Sequence, residues 1–446
     1  MRSSERGWNQ SQYRLLAMPR RTDFHHDELN MSQGNMTESV GITETVRVSD
    51  QLEVPKHPPE KPIPMISGDW PTKEDQWRTS SNLTEAEWAI VEDYAIRYGC
   101  QYDSYLTVRA PGRHFFFASD GKGVVSGVLR GKRLGTFGGI LGPQDGWSDI
   151  LGELLQHCKE QRWQLGFFAA DQGLKAVLDQ HGFRSNKFGE GAIVDLTSMD
   201  WKGKKFEWVR RQTSFCLRQG LKFQEHRECE SDSEHWSKLT QELLEIERQF
   251  LADRSHGSRL RHVVGEFCGK LGRGQRLFTA WNEKSGQIEA FVVCNPSLDG
   301  KRWVLECFRR RPEATRGVIS FLLHQIMQQL KEEGVEEADL CMVPFVNCEK
   351  PVKNDHWLSR KSISFLGNKL NWIYDCQGLY HFKSRFRPKF RDLHVSVHPD
   401  INAGWIHYMV VECGFLKINP GNVFRQMVRH FFKRRDRANM ANAKTD

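Results

Sequence analysis

Residues 303–344 read Trp303-Val-Leu-Glu-Cys-Phe-Arg-Arg-Arg-Pro-Glu-Ala-Thr-Arg-Gly-Val-Ile-Ser-Phe-Leu-Leu-His-Gln-Ile-Met-Gln-Gln-Leu-Lys-Glu-Glu-Gly-Val-Glu-Glu-Ala-Asp-Leu-Cys-Met-Val-Pro344. Ile319, Leu322, Leu323, Ile326, Met327 and Leu330 recur at the spacing of one buried helical face, and Gly334 follows as a stop. The spacing predicts a helix between two strands, Trp303 to Phe308 and Ala338 to Pro344. A further strand at Ile288 to Cys294 makes the unit β-β-α-β. Charge is crowded into Arg309 to Glu313, where a strand ends and a helix begins. Free backbone N–H groups and the helix dipole make that point of an α/β unit a place for an anionic or carbonyl group.

Outward from this unit, 446 residues suffice for two to three domains with cores of their own. A hydrophobic content of 39% and a charged content of 27% belong to a globular chain, and no run of about 18 apolar residues is present to span a bilayer. The net charge of +8 tilts the chain toward anionic partners, nucleic acid or an acidic membrane surface. Eleven cysteines without a C-x-x-C pair argue against a zinc site and a disulfide framework, so neither metal nor cofactor is expected. Together with the missing apolar leader, this points to the cytoplasm.

Residues 1–82 are polar and end in a proline cluster, a composition expected to stay disordered. Thr84-Glu-Ala-Glu87 resembles a capping box opening a helix. A meander follows, with strands at Ser104 to Ala110, His114 to Ser119, Val124 to Arg130 and Leu134 to Leu141, then a helix on Ile150, Leu151, Leu154 and Leu155. A buried strand at Gln164 to Ala170, a short helix and a strand at Ala192 to Leu196 close the first pass. After Trp201 come a basic helix at Phe206 to Gly220, an amphipathic helix at Trp236 to Phe250 and a hairpin leading into the opening unit. The repetition suggests two similar α/β halves, 83–200 and 201–398. Their alternation fits acetyltransferase-like (GNAT) halves with mixed central sheets better than a doubly wound sheet, and G-x-G-x-x-G is absent. In the extension, 399–446, Phe424, Met427, Phe431 and Phe432 fall on one helical stripe, with Arg425, Arg429, Lys433, Arg434 and Arg435 elsewhere. That pattern suits either a helix lying on an anionic membrane or one packing its apolar face on the body.

Five stretches in register resemble one family: Phe188 to Leu196; Gly203-Lys-Lys205 with Leu217 to Leu221; Glu306 to Gly317; Asp339 to Pro344; and Gly378 to Pro388. They look like the C-terminal catalytic domain of the phosphatidylglycerol lysyltransferases and alanyltransferases, over about residues 85–398. The resemblance implies a tandem GNAT fold that moves an aminoacyl group from aminoacyl-tRNA to a hydroxyl of phosphatidylglycerol, acting in the cytoplasm at the inner face of the membrane. Family members usually carry an N-terminal membrane flippase, for which this sequence has no apolar run.

Such a transesterification needs a carboxylate to orient or deprotonate the hydroxyl and cations for phosphate and oxyanion. Glu306 and Arg309 stand in the places of the family's Asp-x-x-Arg. They are expected to bind the substrate ammonium or act as base, and to clamp a phosphate or the terminal adenosine; a strand-end ion pair is the alternative. Lys383 falls where the family places a catalytic lysine, the alternative being a solvated lysine on an edge strand. Arg310, Glu313, Arg316, Asp339 and Arg385 are expected to line the substrate site, although Glu313 suits the helix dipole equally well. For tRNA the candidates are Lys204, Lys205, Arg210, Arg211 and Arg218 on the basic helix, and Arg387 and Lys389, with Arg385, on the expected Lys383 strand. His114, His324 and His381 show no ligand spacing.

This sequence departs from the family in Glu306, one methylene longer than Asp, and in Arg316, where Asn is common before Gly317. An acyl-CoA enzyme is the rival reading. It calls for a Gly-rich pyrophosphate loop before the central helix, and Arg316-Gly-Val-Ile-Ser320 has one glycine. A third reading is a non-catalytic tRNA- or membrane-binding protein.

Overall fold

A computed structural model describes residues 70–72, 75–106, 108, 110, 112–227, 233–253, 265–370 and 375–413. The tail up to residue 69 and the amphipathic stripe at 423–435 lie outside these residues.

Strand β1 (Trp77–Thr79) precedes helix α1 (Glu85–Tyr98). The capping box is formed: Thr84 Oγ1 accepts from the Glu87 N–H at 3.2 Å, and the Glu87 carboxylate accepts from the Thr84 N–H at 2.8 Å. The described residues from 101 to 113 form turns, not the strand expected at Ser104 to Ala110. There the Ser104 hydroxyl donates to the Gly138 carbonyl and Asp103 accepts from the Gly138 N–H, so side chains take the place of ladder hydrogen bonds. Then follow β2 (His114–Phe117), β3 (Val124–Arg130), β4 (Arg133–Leu141), α2 (Trp147–Glu160), β5 (Gln164–Ala170), α3 (Gln172–Gln180) and β6 (Arg184–Asp195). The second pass runs α4 (Glu207–Arg218), β7 (Leu221–His226), α5 (Ser233–Asp253), β8 (Arg276–Asn282), β9 (Gln287–Ser297), β10 (Arg302–Arg310), α6 (Val318–Glu332) and β11 (Glu337–Pro344). It ends with α7 (Trp357–Leu370), α8 (Cys376–Ser384), β12 (Lys389–His398) and α9 (Ala403–Glu412).

The strands form one sheet in the order β1-β2-β3-β4-β5-β12-β6-β11-β10-β9-β8-β7. Among the described residues only β4–β5 and β10–β11 pair in parallel, one pair in each pass. Each is linked by a helix, so the same strand–helix–strand unit occurs once in each pass of one continuous mixed sheet. β12, late in the chain, lies between β5 and β6, pairing His394 with Ala170 and Lys389 with Ile193. The sheet of the first half is thus completed by a strand from beyond residue 388, because β6 continues the sheet toward β11 and leaves a slot on its other side.

α6 buries Leu322, Leu323, Ile326, Met327 and Leu330 as its spacing predicts, against Val209 and Cys216 of α4 and the β8–β10 face. Gly317, at φ 85°, precedes it in the left-handed region that glycine adopts at no steric cost. On the opposite face α5 packs Leu239, Leu243 and Ile246 against Phe291 and Cys307. The C-terminal helices share a cluster with Val304, Cys341, Met342 and Tyr102. That cluster lies where the two halves meet.

Candidate active site

β10 and β11 pair only over Arg302–Val304 and Glu337–Asp339. Beyond that point β10 stays with β9 while β11 pairs with β6, so the two strands part. Two irregularities accompany the parting. Glu306 is the extra residue of a bulge between Leu305 and Cys307. A regular strand would put Trp303, Leu305 and Cys307 on one face, but Cys307 packs with α5 while Trp303 and Leu305 pack with α6. On the facing strand Cys341 has φ 67°, and the β11–β6 register shifts between Asp339 and Met342. Bulges of this kind re-aim side chains, and here the Glu306 carboxyl meets Asn295 of β9 and the Gly265 backbone.

Glu306 is 8% exposed. Its Oε2 accepts from Asn295 Nδ2 at 2.7 Å, and the Gly265 backbone faces the carboxyl so closely that a Cβ there would lie 2.7 Å from Glu306 Cδ. Oε1 makes no hydrogen bond of normal geometry. Burial pushes the Glu306 carboxyl up to about 7 against the opposing pull of Asn295 and Arg309, and Asp103 nearby adds to the rise. The extra methylene relative to Asp thus carries the carboxyl to Asn295 and Gly265.

Arg309, two residues past the bulge, donates from Nε to Glu247 Oε2 at 2.7 Å, from Nη2 to the Gly265 carbonyl, and lies 4.5 Å from the ring centroid of Phe250. Its ion-pair partner is therefore Glu247 of α5, not Glu306, which replaces the expected strand-end pair with one across two elements. Lys383 lies in α8, 2% exposed, not on a solvated strand. Asp375 caps that helix by accepting from the Gly378 N–H at 2.8 Å, and Pro388 and Arg387 (φ 55°) delay the strand to Lys389. Lys383 Nζ donates to the carbonyls of Cys341 and Met342 at 3.0 and 3.1 Å, spanning the irregular residue of β11. Burial lowers its ammonium to about 8, with Cys341 and Asp339 pulling the other way. Burial pushes the Cys341 thiol well up, with Asp339 and Glu306 adding to the rise and Lys383 opposing it.

The other candidates divide. Asp339 is buried where the two strands part, accepting from the Cys341 N–H at 2.7 Å, and burial raises its carboxyl. Arg310 turns back on the carbonyls of Arg311 and Pro312. Glu313 and Arg316 are exposed on the turn before α6. That turn is held by Glu289, whose carboxylate accepts from the Thr315 N–H at 2.6 Å and from its hydroxyl at 3.1 Å. The two basic sets meet on one face: the Arg385 guanidinium lies 5.3 Å from the Trp208 ring, and Arg387 Nε reaches the Lys205 carbonyl at 3.4 Å. Lys204, Arg211 and Arg218 are exposed, and Lys389 pairs with Asp195 at 3.1 Å. Arg210 instead staples the α4 entry, donating to the carbonyls of Trp201 and Gly203 at 2.7 and 2.9 Å.

Three groups were missed from sequence. Glu247 had a signal, a carboxylate on the apolar stripe of α5 next to Leu243 and Ile246. Asn295 and Asp103 had none. Asp103 is 1% exposed, its carboxyl pushed up by burial to about 7, and it reaches the seam because its loop is tied to the second half. Ser297 Oγ and Arg302 Nη1 donate to the carbonyls of Gly99 and Cys100 at 2.6 and 2.7 Å. Among the described residues no group of three or more His, Cys, Asp or Glu side chains is arranged for a metal ion, and no helix is long and apolar enough to cross a membrane.

A family model described as "Phosphatidylglycerol lysyltransferase, C-terminal" matches residues 94–395. The chain belongs to this family. Phosphatidylglycerol lysyltransferases of Bacillus subtilis (strain 168) and Staphylococcus aureus (strain MRSA252) are 22% and 20% identical to it over 301 and 328 residues, 67% and 74% of this chain. Those stretches are 34% and 37% of the relatives, so the chain spans about a third of the length of the lysyltransferases it matches. The solved L-PGS structure from Bacillus licheniformis superposes with a TM-score of 0.60 at 21% identity, covering 73% of this chain and 95% of that one. A C-terminal domain assigned to a lysylphosphatidylglycerol synthetase of Agrobacterium fabrum gives 0.60 at 22%, covering 74% and 96%. The chain therefore shares the fold of these two structures over about three quarters of its length.

Proposed function

We propose that this chain is an aminoacyltransferase that moves an amino acid from aminoacyl-tRNA to a glycerol hydroxyl of phosphatidylglycerol, working from the cytoplasmic side at a membrane surface. The observation that carries the reading is a buried carboxyl at the β10 bulge, Glu306, and a buried lysine, Lys383, bonded to the Cys341 and Met342 carbonyls of β11, at the level where these two strands part. In this scheme Glu306, as carboxylate, takes the proton of the lipid hydroxyl as its oxygen attacks the ester carbonyl carbon. The Lys383 ammonium stabilises the oxyanion of the tetrahedral intermediate. The bond to the ribose oxygen then breaks, and Glu306 returns the proton to that oxygen. In this scheme Arg309, fixed by Glu247, holds a phosphate or the terminal adenosine. The basic face joining Lys204, Lys205, Arg211, Arg385 and Arg387 is the surface proposed for the tRNA backbone, with Trp208 available for stacking.

Against the acyl-CoA rival stands Glu289. A carboxylate already takes the N–H of Thr315 on the turn before α6, where a pyrophosphate loop would need free donors. The experiment is incubation with phosphatidylglycerol vesicles and a pool of charged tRNA, following labelled amino acid into the lipid fraction. Labelling that stops after RNase treatment and in Glu306→Gln and Lys383→Met supports the reading. Labelling that survives RNase, or that both variants retain in full, overturns it.

A further inference from the structure

α7 carries an apolar face turned outward. Trp357 is 56% exposed, Leu358 50% and Phe365 60%, in a chain that otherwise exposes few large apolar side chains among its described residues. The helix is not misplaced, because its other side is anchored. Ser359 and Ile363 are buried, and Gly367 packs so tightly on Phe345 that a Cβ there would come within 2.9 Å. At its start, the His356 carbonyl accepts from Asn186 Nδ2 of β6 at 3.1 Å. Residues 359, 363 and 367 share one face at four-residue spacing, and 357, 361 and 365 share the face about 200° away. Both are stripes of a firmly seated helix.

The outer stripe is amphipathic in a particular way. Lys361 Nζ lies 5.1 Å from the centroid of the Trp357 ring, and Lys350 and Lys353 are exposed just before the helix. Between residues 349 and 365 the charges are Lys350, Lys353, Arg360 and Lys361 against Glu349 and Asp355, and Asp355 is already held by Arg360. A tryptophan flanked by lysines, with leucine and phenylalanine on the same side, fits the boundary between phosphates and acyl chains. There the ring is half wet, and each cation near an acidic surface adds attraction.

We propose that α7 is a docking surface for an anionic phospholipid bilayer. Trp357, Leu358 and Phe365 enter the interface, and Lys350, Lys353 and Lys361 face its phosphates. The assignment rests on the lipid acceptor proposed above only for its purpose. The inward side of α7 shares an apolar cluster with Cys341 and Met342, whose carbonyls hold Lys383. A bilayer on the outer side would be separated from that cluster by the helix itself, roughly 10 Å across.

The test uses the full chain without tRNA, sedimented with vesicles of phosphatidylcholine alone or mixed with phosphatidylglycerol. Binding should favour the anionic vesicles. The double variant Trp357→Ser, Leu358→Ser should lower the partition constant roughly tenfold or more, and Lys361→Glu should lower it several-fold. Melting temperatures should stay within a degree or two of wild type, since these side chains are exposed. Binding that is absent in wild type, or unchanged in the double variant, overturns the proposal. So does sedimentation velocity showing a lipid-free dimer that the double variant dissolves, because the face would then belong to a second copy. Transfer to detergent-dispersed phosphatidylglycerol separates this result from the function. The double variant should keep micellar transfer while losing vesicle transfer. Wild-type protein that binds vesicles through Trp357 but transfers nothing would leave the surface standing and the transferase reading refuted.

Discussion

Arg309 and Glu247 form an ion pair at 2.7 Å in which the side chains are 3% and 5% exposed, joining the end of β10 to the middle of α5. Removing one partner of such a pair strands a charge in the interior, which costs about 3–5 kcal/mol. Glu247→Ala should therefore unfold at markedly lower urea than wild type, and Arg309→Met likewise. The double variant Glu247→Leu, Arg309→Met should lose much less than the sum. Additive losses in equilibrium urea unfolding would show that the two side chains do not depend on each other.

Transfer should have a narrow pH optimum. Glu306 works as carboxylate and so gains activity as pH rises through about 7, while Lys383 works as ammonium and loses it above about 8. Lys383→Arg keeps its charge and should remove the alkaline limb from kcat measured with saturating lipid. A limb that persists at the same pH in this variant assigns it elsewhere.

The same burial makes Glu306 a pH-dependent load on stability. Its folded value of about 7 lies above the ordinary 4.5, so the folded state keeps a proton that the unfolded chain has released. Stability therefore falls as pH rises from 4.5 to about 7, by roughly 3 kcal/mol at most. Glu306→Gln should gain on wild type across that window, so the difference in melting temperature should be larger at pH 8 than at pH 5. Glu306→Asp pulls the carboxyl back from Asn295 by about 1 Å and should cost on the order of 10²-fold in transfer.

Millimolar acetyl-CoA should leave the melting temperature unmoved, since Glu289 occupies an N–H donor of the turn before α6. A rise of several degrees would favour the acyl-CoA enzyme.

Charge removal on the basic face should act through counterions. Lys204→Ala and Arg387→Ala should each weaken tRNA binding and lower the slope of log K against log salt by about 1. Arg210→Ala should lower stability instead, because its guanidinium is spent on the carbonyls of Trp201 and Gly203. A filter-binding salt titration beside a melting curve separates the two effects.

Much of the local structure was legible from periodicity. The apolar stripe of α6, the capping box at Thr84, and strands such as Val124–Arg130 and Gln164–Ala170 depend on neighbours within a few residues, and their side chains declare them. Lys383 was misplaced onto a strand because Phe382, Ser384 and Phe386 alternate like one. The Asp375 cap and the buried Cys376 face settle the segment as helix. The strand expected at Ser104 to Ala110 failed for a related reason: Asp103 and Ser104 spend their side chains on Gly138, 35 and 34 residues away.

By itself the sequence determined the β-β-α-β unit around α6, the suggestion that a similar α/β pass precedes it, and the stock of cations and carboxyls near Glu306. These follow from spacing and residue type along a short stretch of chain. Tertiary structure alone decided that β12 enters between β5 and β6, that the bulged Glu306 meets Asn295 and Gly265, and that Glu247 rather than Glu306 holds Arg309. Each of these depends on pairings between residues tens to hundreds of positions apart. Their strength comes from burial and low local polarity, which exist only once the sheet has closed around them.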